Sequence, residues 1–176
     1  MASGGKAKLG DDWTYKIYFD PEANEDTGKS YFIEDDELIE KLTKLVDTDE
    51  NIEMLYAYKH PLTEIQLTDF FLHHMFIVFE THNWWWSIEK NSSGITIQRS
   101  KIFNAVRNRY RQSNRVSGIK KVKSDKGRLS VFDLINWLYK ENELNKEYNF
   151  LHSNCQQFAK AVFDHVAKRE YLQIAT

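Results

Sequence analysis

Residues 74–98 read HMFIVFETHNWWWSIEKNSSGITIQ, and this stretch decides the fold. Residues 74–79 form an apolar, β-branched and aromatic run, too short for a helix and bounded by polar residues, as expected of a buried strand. A turn at 81–83 precedes a second strand over 84–90, and a turn at 91–94, with Gly94 available for positive φ, precedes a third over 95–98. Connections this short predict an antiparallel meander.

Working outward, residues 13–20 alternate Trp13, Tyr15, Ile17 and Phe19 with polar neighbours, the period of a strand. Residues 35–46 place Leu38, Ile39, Leu42, Leu45 and Val46 on one stripe behind an acidic start, the pattern of a helix. A short strand is expected over 52–58, ending at Pro61, and a helix over 101–111, followed by a long loop or ribbon over 112–128. Ser130, with Asp133 three residues on, caps a helix carrying Val131, Leu134, Ile135 and Leu138. Ser153 or Asn154 caps the last helix, which runs to about 168. The order predicts an α+β domain over residues 11–176 behind a flexible tail of residues 1–10.

Composition narrows the class. The 176 residues include 25 aromatics but only 7 Gly and 2 Pro, which excludes a collagen-like or Gly/Pro-rich chain. No run of apolar residues is long enough to span a bilayer, and residues 1–10 lack the apolar stretch of a signal peptide, so a cytoplasmic protein is expected. Residues 11–53 hold 15 acids against 4 Lys, whereas residues 107–128 hold 9 Lys and Arg against one acid. The basic segment supplies candidate anion contacts in Arg107, Arg109, Arg111, Arg115, Lys120, Lys121 and Lys123, for nucleic acid or an anionic surface. The alternative is a solvated face, or one facing the acidic segment.

The chain has one cysteine, which excludes an intramolecular disulfide. Cys155 follows two good N-cap residues. A thiol at a helix start is acidified by the unpaired N–H groups there, and the same groups can hold an oxyanion. A lone cysteine is otherwise a small buried hydrophobe.

The context is Glu147, Tyr148, Asn149, Phe150, Leu151, His152, Ser153, Asn154, Cys155, Gln156, Gln157, Phe158 and Ala159. It resembles the Asn-Cys-x-x-Phe box of circularly permuted papain-like thiol hydrolases of the NlpC-type superfamily, which include the lecithin:retinol acyltransferase-like group and the PPPDE-type peptidases. Those families place the catalytic His before the Cys, at the start of a strand in a meander, and here His73 and His74 open such a strand about 80 residues upstream. The resemblance covers residues 70–168 and implies a papain-like fold with the thiol at a helix N-terminus.

It also implies a cysteine hydrolase or acyltransferase. Cys155 would be the nucleophile, next to Asn154, and His73 or His74 the base. Adjacent strand residues face opposite ways, so one of the two histidines faces Cys155, and alignment of the following turn favours His74. Acyltransferase-like members carry a second His on the next strand, where this chain has none. Ser87, Glu89 or His82 would fill the third position, or a dyad would remain. Trp84, Trp85 and Trp86 either pack the core and sheet edge or wall a substrate groove.

The expected substrate is a peptide, protein-linked or acyl group held by an amide, thioester or ester bond, with a lean towards amides. No cofactor or metal site is expected, since histidines and one thiol at these spacings match no strong zinc motif. The competing function is a non-catalytic papain-like module that binds through residues 107–128.

Overall fold

In the computed structural model the meander forms the middle of a seven-stranded sheet, and residues 13–24, 28–62, 73–149 and 154–168 are described. The strands are β1 (Lys16–Asp20), β2 (Tyr31–Glu34), β3 (Met54–Pro61), β4 (His73–Glu80), β5 (Trp85–Asn91), β6 (Gly94–Ser100) and β9 (Lys120–Lys126), in the spatial order β2-β1-β6-β5-β4-β3-β9. Strands β3 to β6 pair antiparallel in sequence, as expected of short turns, and β1 is the exception, running parallel to β6. A two-stranded ribbon, β7 (Arg109–Tyr110) and β8 (Ser113–Asn114), lies apart from this sheet.

Among the described residues the α-helices are α1 (Leu38–Val46), α2 (Phe103–Arg107), α3 (Val131–Lys140) and α4 (Cys155–Val166). The molecule is thus α+β. Leu38, Leu42 and Val46 of α1, Leu134, Ile135 and Leu138 of α3, and Phe158, Val162 and Phe163 of α4 close over Leu55, Ile77, Phe79, Trp86 and Ile88 of the sheet. The opposite face of the central strands is polar towards β5 and β6, where Ser87, Glu89, Thr96 and Gln98 are buried. Such a layer is stable only when its polar atoms are paired. Residues 107–115 lie across it and provide partners: Gln98 donates to Ser87 Oγ and to the Arg109 carbonyl, and Arg111 Nε donates to Thr96 Oγ1.

Three expectations change. The strand foreseen over 13–20 starts only at Lys16, because Tyr15 sits at φ 59° while Trp13 turns inward to donate its indole N–H to the Leu144 carbonyl at 3.0 Å. The helix foreseen over 101–111 is five residues long; Arg111 and Gln112 adopt φ of 45° and 67°, which turns the chain into the ribbon. Part of the loop or ribbon foreseen over 112–128 is β9, an edge strand paired with β3. Gly127 follows β9 at a point where an added Cβ would lie 2.1 Å from the Ile52 carbonyl oxygen, so only glycine lets the chain pass there. Among the described residues no helix is long and apolar enough to cross a membrane. Residues 1–10 and His152 lie outside the described residues.

Candidate active site

Strand β4 opens with His73 and His74, and alternation sends their rings to opposite faces. The β4–β5 ladder runs from Glu80↔Trp85 to Ile77↔Ile88 and goes no further, so residues 73–76 have no β5 partner in it. Cys155, at the start of α4, meets β4 at this open end. Its Sγ lies 3.8 Å from the His73 carbonyl oxygen, and the sulfur accepts from the Met75 N–H. The backbone groups of residues two apart on a strand point to the same edge, so one sulfur reaches both.

The first turn of α4 is built by its cap. Asn154 is extended, and its side-chain oxygen accepts from the N–H groups of Gln156 and Gln157, each at 3.0 Å, while Gln157 Oε1 accepts from the Asn154 N–H at 3.1 Å. This reciprocal box holds Cys155 at the first helical position, and the residue is 5% exposed.

His74 stands between the thiol and a carboxylate. Its Nε2 lies 2.5 Å from Glu89 Oε2, and it hydrogen-bonds the Cys155 side chain. With Nε2 on Glu89, Nδ1 is the ring nitrogen left for the sulfur. Glu89 also accepts from Arg115: Nη1 donates to Oε2 at 2.9 Å and Nη2 to Oε1. Both side chains of that pair are 1% exposed. Arg115 lies over the Phe76 ring, its guanidinium carbon 3.7 Å from the centroid. The His60 ring sits 5.2 Å from that of His74, and its Nδ1 donates to the Pro61 carbonyl at 2.7 Å.

The electrostatics follow from these contacts. Burial works against a charged His74, but the thiol and Glu89 outweigh it and raise its pKa to about 9. Burial likewise opposes a charged Glu89, and Arg115 first, then His74, bring it down to about 2. For Cys155 burial opposes the thiolate, but His74, the Met75 N–H and the Tyr148 hydroxyl together lower the thiol below its ordinary range. Burial pushes His60 down, which disfavours a competing charge beside His74. The arrangement can hold a thiolate beside an imidazolium whose far nitrogen is fixed by a carboxylate, which is the equipment of a nucleophile, a base and an orienting group.

The structure brings Cys155, His74 and Glu89 together and leaves other expected residues aside. The His73 ring faces away from this cluster, and only its carbonyl meets the sulfur. Ser87 is fully buried and accepts from Gln98 Nε2 at 3.1 Å, so it is tied into the polar layer two residues along β5 from Glu89. His82 is exposed in the turn at the far end of β4. Asn154 acts through the cap, its amide oxygen being taken by two N–H groups.

The tryptophans stand at the start of β5, about 13 Å along the strand from Glu89 at about 3.3 Å per residue. Trp84 takes Lys101 and Arg99 over its ring at 3.8 and 4.0 Å, and Trp85 packs on Phe103 at 4.8 Å. Trp86 stacks on Phe79 at 5.6 Å within the core. None of them walls a groove at the thiol.

Of the basic segment, Arg115 is no surface anion contact, because it is buried against Glu89. Arg107 lies over Tyr58, Arg109 Nη2 donates to the Gln112 carbonyl at 2.8 Å, and Arg111 lies over Tyr18. Lys120, Lys121 and Lys123 remain exposed on β9.

Sequence reasoning missed Arg115 as the partner of Glu89, His60 beside His74, and Tyr148 on the sulfur. Glu89 and Arg115 are 26 positions apart, a separation that carries no spacing signal. Tyr148 stood inside the quoted box, seven residues before the thiol, and its place there was the available hint.

No protein-family model matches the chain, and no curated protein or solved structure matches it significantly.

Proposed function

We propose that the protein is a cysteine hydrolase or acyltransferase acting on an amide, thioester or ester carbonyl, on a permuted papain-like arrangement with the nucleophile at a helix start. The observation that carries the reading is His74 in contact with both Cys155 and Glu89. Cys155 Sγ attacks the carbonyl carbon. The C–S bond forms as the C=O π pair moves onto oxygen. Collapse of that intermediate breaks the bond to the leaving group, which takes the proton held by His74. Water or a second acceptor then attacks the thioester, gives its proton to His74 and releases the thiolate. Glu89 keeps the ring in place and stabilises the imidazolium through both steps.

The test is acylation of Cys155 by p-nitrophenyl acetate, followed by intact mass. The wild type gains one acetyl group with release of p-nitrophenol, and Cys155→Ala and His74→Ala do not while keeping the wild-type circular dichroism. Full turnover in Cys155→Ala overturns the reading.

The competing reading, a binding module, rests on Lys120, Lys121 and Lys123, exposed on β9. Edge strands carry lysines to prevent strand pairing, which accounts for these three without a ligand. Binding to an oligonucleotide that weakens steeply with salt would favour the module.

A further inference from the structure

Residues 110–116 stand off from His74 and Glu89 and leave a cavity of about 240 Å³ beside them. Pockets that enclose drug-sized ligands hold about 300–1,000 Å³, so the occupant of this one is short. Leu62 and Val116 supply apolar wall, and the rest of the lining is polar. The Tyr110 hydroxyl oxygen accepts from Asn91 Nδ2 and, at 3.4 Å, from Thr96 Oγ1, so its own proton is left to donate. His60 commits Nδ1 to the Pro61 carbonyl, which leaves Nε2 to accept. Asn114, on the exposed strand β8, adds a carboxamide that can do either. The cavity thus offers donors and acceptors together but no unpaired charge, since Arg115 and Glu89 hold each other. Brought in, a carboxylate would meet Glu89 and an ammonium would meet Arg115, each shedding its hydration without a free counter-ion.

His74 lines the same cavity, and it is the group that returns a proton to the leaving group. The leaving-group half of a substrate therefore lies on this side of the thiol. On that basis, and resting on the cysteine hydrolase reading above, we propose that the cavity is the leaving-group subsite and selects a short uncharged polar group, a carboxamide on an aliphatic stem. The stem packs on Leu62 and Val116. The carboxamide oxygen accepts from the Tyr110 hydroxyl and the Asn114 amide, and its nitrogen donates to His60. An alkyl group of the same size fills the space but takes water from these donors and acceptors without replacing it, so it is held less well. Tyr110 and Asn114 are thus specificity residues and take no part in proton transfer.

The experiment acylates Cys155 with four acetyl thioesters whose leaving thiol is an ethanethiol carrying, at its far carbon, a carboxamide, an isopropyl, a carboxylate or an aminomethyl group. In each, the bond from the acetyl carbon to Cys155 Sγ forms, the bond to the leaving sulfur breaks, and that sulfur departs with the proton from His74. Intact mass follows the gain of one acetyl group. Each rate is divided by that of the same thioester with dithiothreitol, which cancels the reactivity of the leaving thiol. The expected result is that the carboxamide outruns its isopropyl isostere by about tenfold, the worth of one or two net hydrogen bonds, and that both charged groups fall below the isopropyl. Tyr110→Phe and Asn114→Leu should each bring the carboxamide-to-isopropyl ratio down by about threefold or more. A ratio taken within one variant does not depend on how much of it is folded. A wild-type ratio near one, a preferred charged group, or a ratio unmoved in both variants overturns the proposal and leaves the hydrolase reading intact. So does a wild type acylated by p-nitrophenyl acetate but by none of the thioesters, whereas failure of every reagent overturns both.

Discussion

Glu89 holds two cations at once, the His74 ring on one oxygen and the Arg115 guanidinium across both, in a place without solvent access. A carboxylate buried this deeply persists as an anion only because its partners are hydrogen-bonded to it. Glu89→Gln leaves Arg115 charged and unpaired in the interior, and breaking such a pair costs about 3–5 kcal/mol. Urea denaturation should show that loss, and acylation of Cys155 should fall with it. Replacing both partners, in Glu89→Gln/Arg115→Met, removes the uncompensated charge, so much of the stability should return while acylation stays low. A double variant with normal acylation would show that His74 needs no orienting carboxylate.

At the level of elements, three structures meet at the thiol: the open start of β4, the end of β5 and the capped start of α4. The cap holds the sulfur against the strand. Asn154→Ala removes the acceptor of two N–H groups and should cost about 1 kcal/mol. It should also slow alkylation of Cys155 several-fold, because the first turn frays, without abolishing it; complete loss would mean that Asn154 takes part in the chemistry itself.

The elements differed in how legible they were. Asn154 and Ser130 could be named as caps because a cap is local: both residues of each box lie within one turn. The meander was legible because a strand alternating faces between short turns has few alternatives. Helix α2 was overextended because Tyr110 fits a helical stripe equally well, while its hydroxyl meets Asn91 and Thr96 on the sheet. The pairing of β9 with β3 joins residues about 70 apart, and nothing in either strand announces the other.

Across the whole molecule, one face of the sheet is closed by apolar helices and the other by a polar layer under residues 107–115, and the site lies where the second face ends. That placement makes stability depend on pH in a defined way. Glu89 is held at about 2 against an ordinary 4.5, so its contribution is complete above pH 4.5 and is lost as pH falls towards 2. His74 is raised from 6.5 to about 9, so its contribution is complete below pH 6.5 and is lost as pH rises through 9. The melting-temperature difference between wild type and His74→Gln should therefore be widest from pH 4.5 to 6.5 and close above about 9. A difference that does not vary with pH would show that the ring carries no charge in the folded protein.

By itself the sequence determined what is short-range: the strand meander, the two capped helices, a single thiol at a helix start and a pair of histidines of which alternation allowed one to face it. Only the tertiary structure decided between His74 and His73, chose Glu89 over Ser87, took Arg115 off the surface, and put Tyr148 on the sulfur. The physical reason is that caps and alternation depend on neighbours within a turn. A buried charge is placed by whichever distant partner the folded chain brings within hydrogen-bond reach, and that partner is specified by register and crossover rather than by spacing.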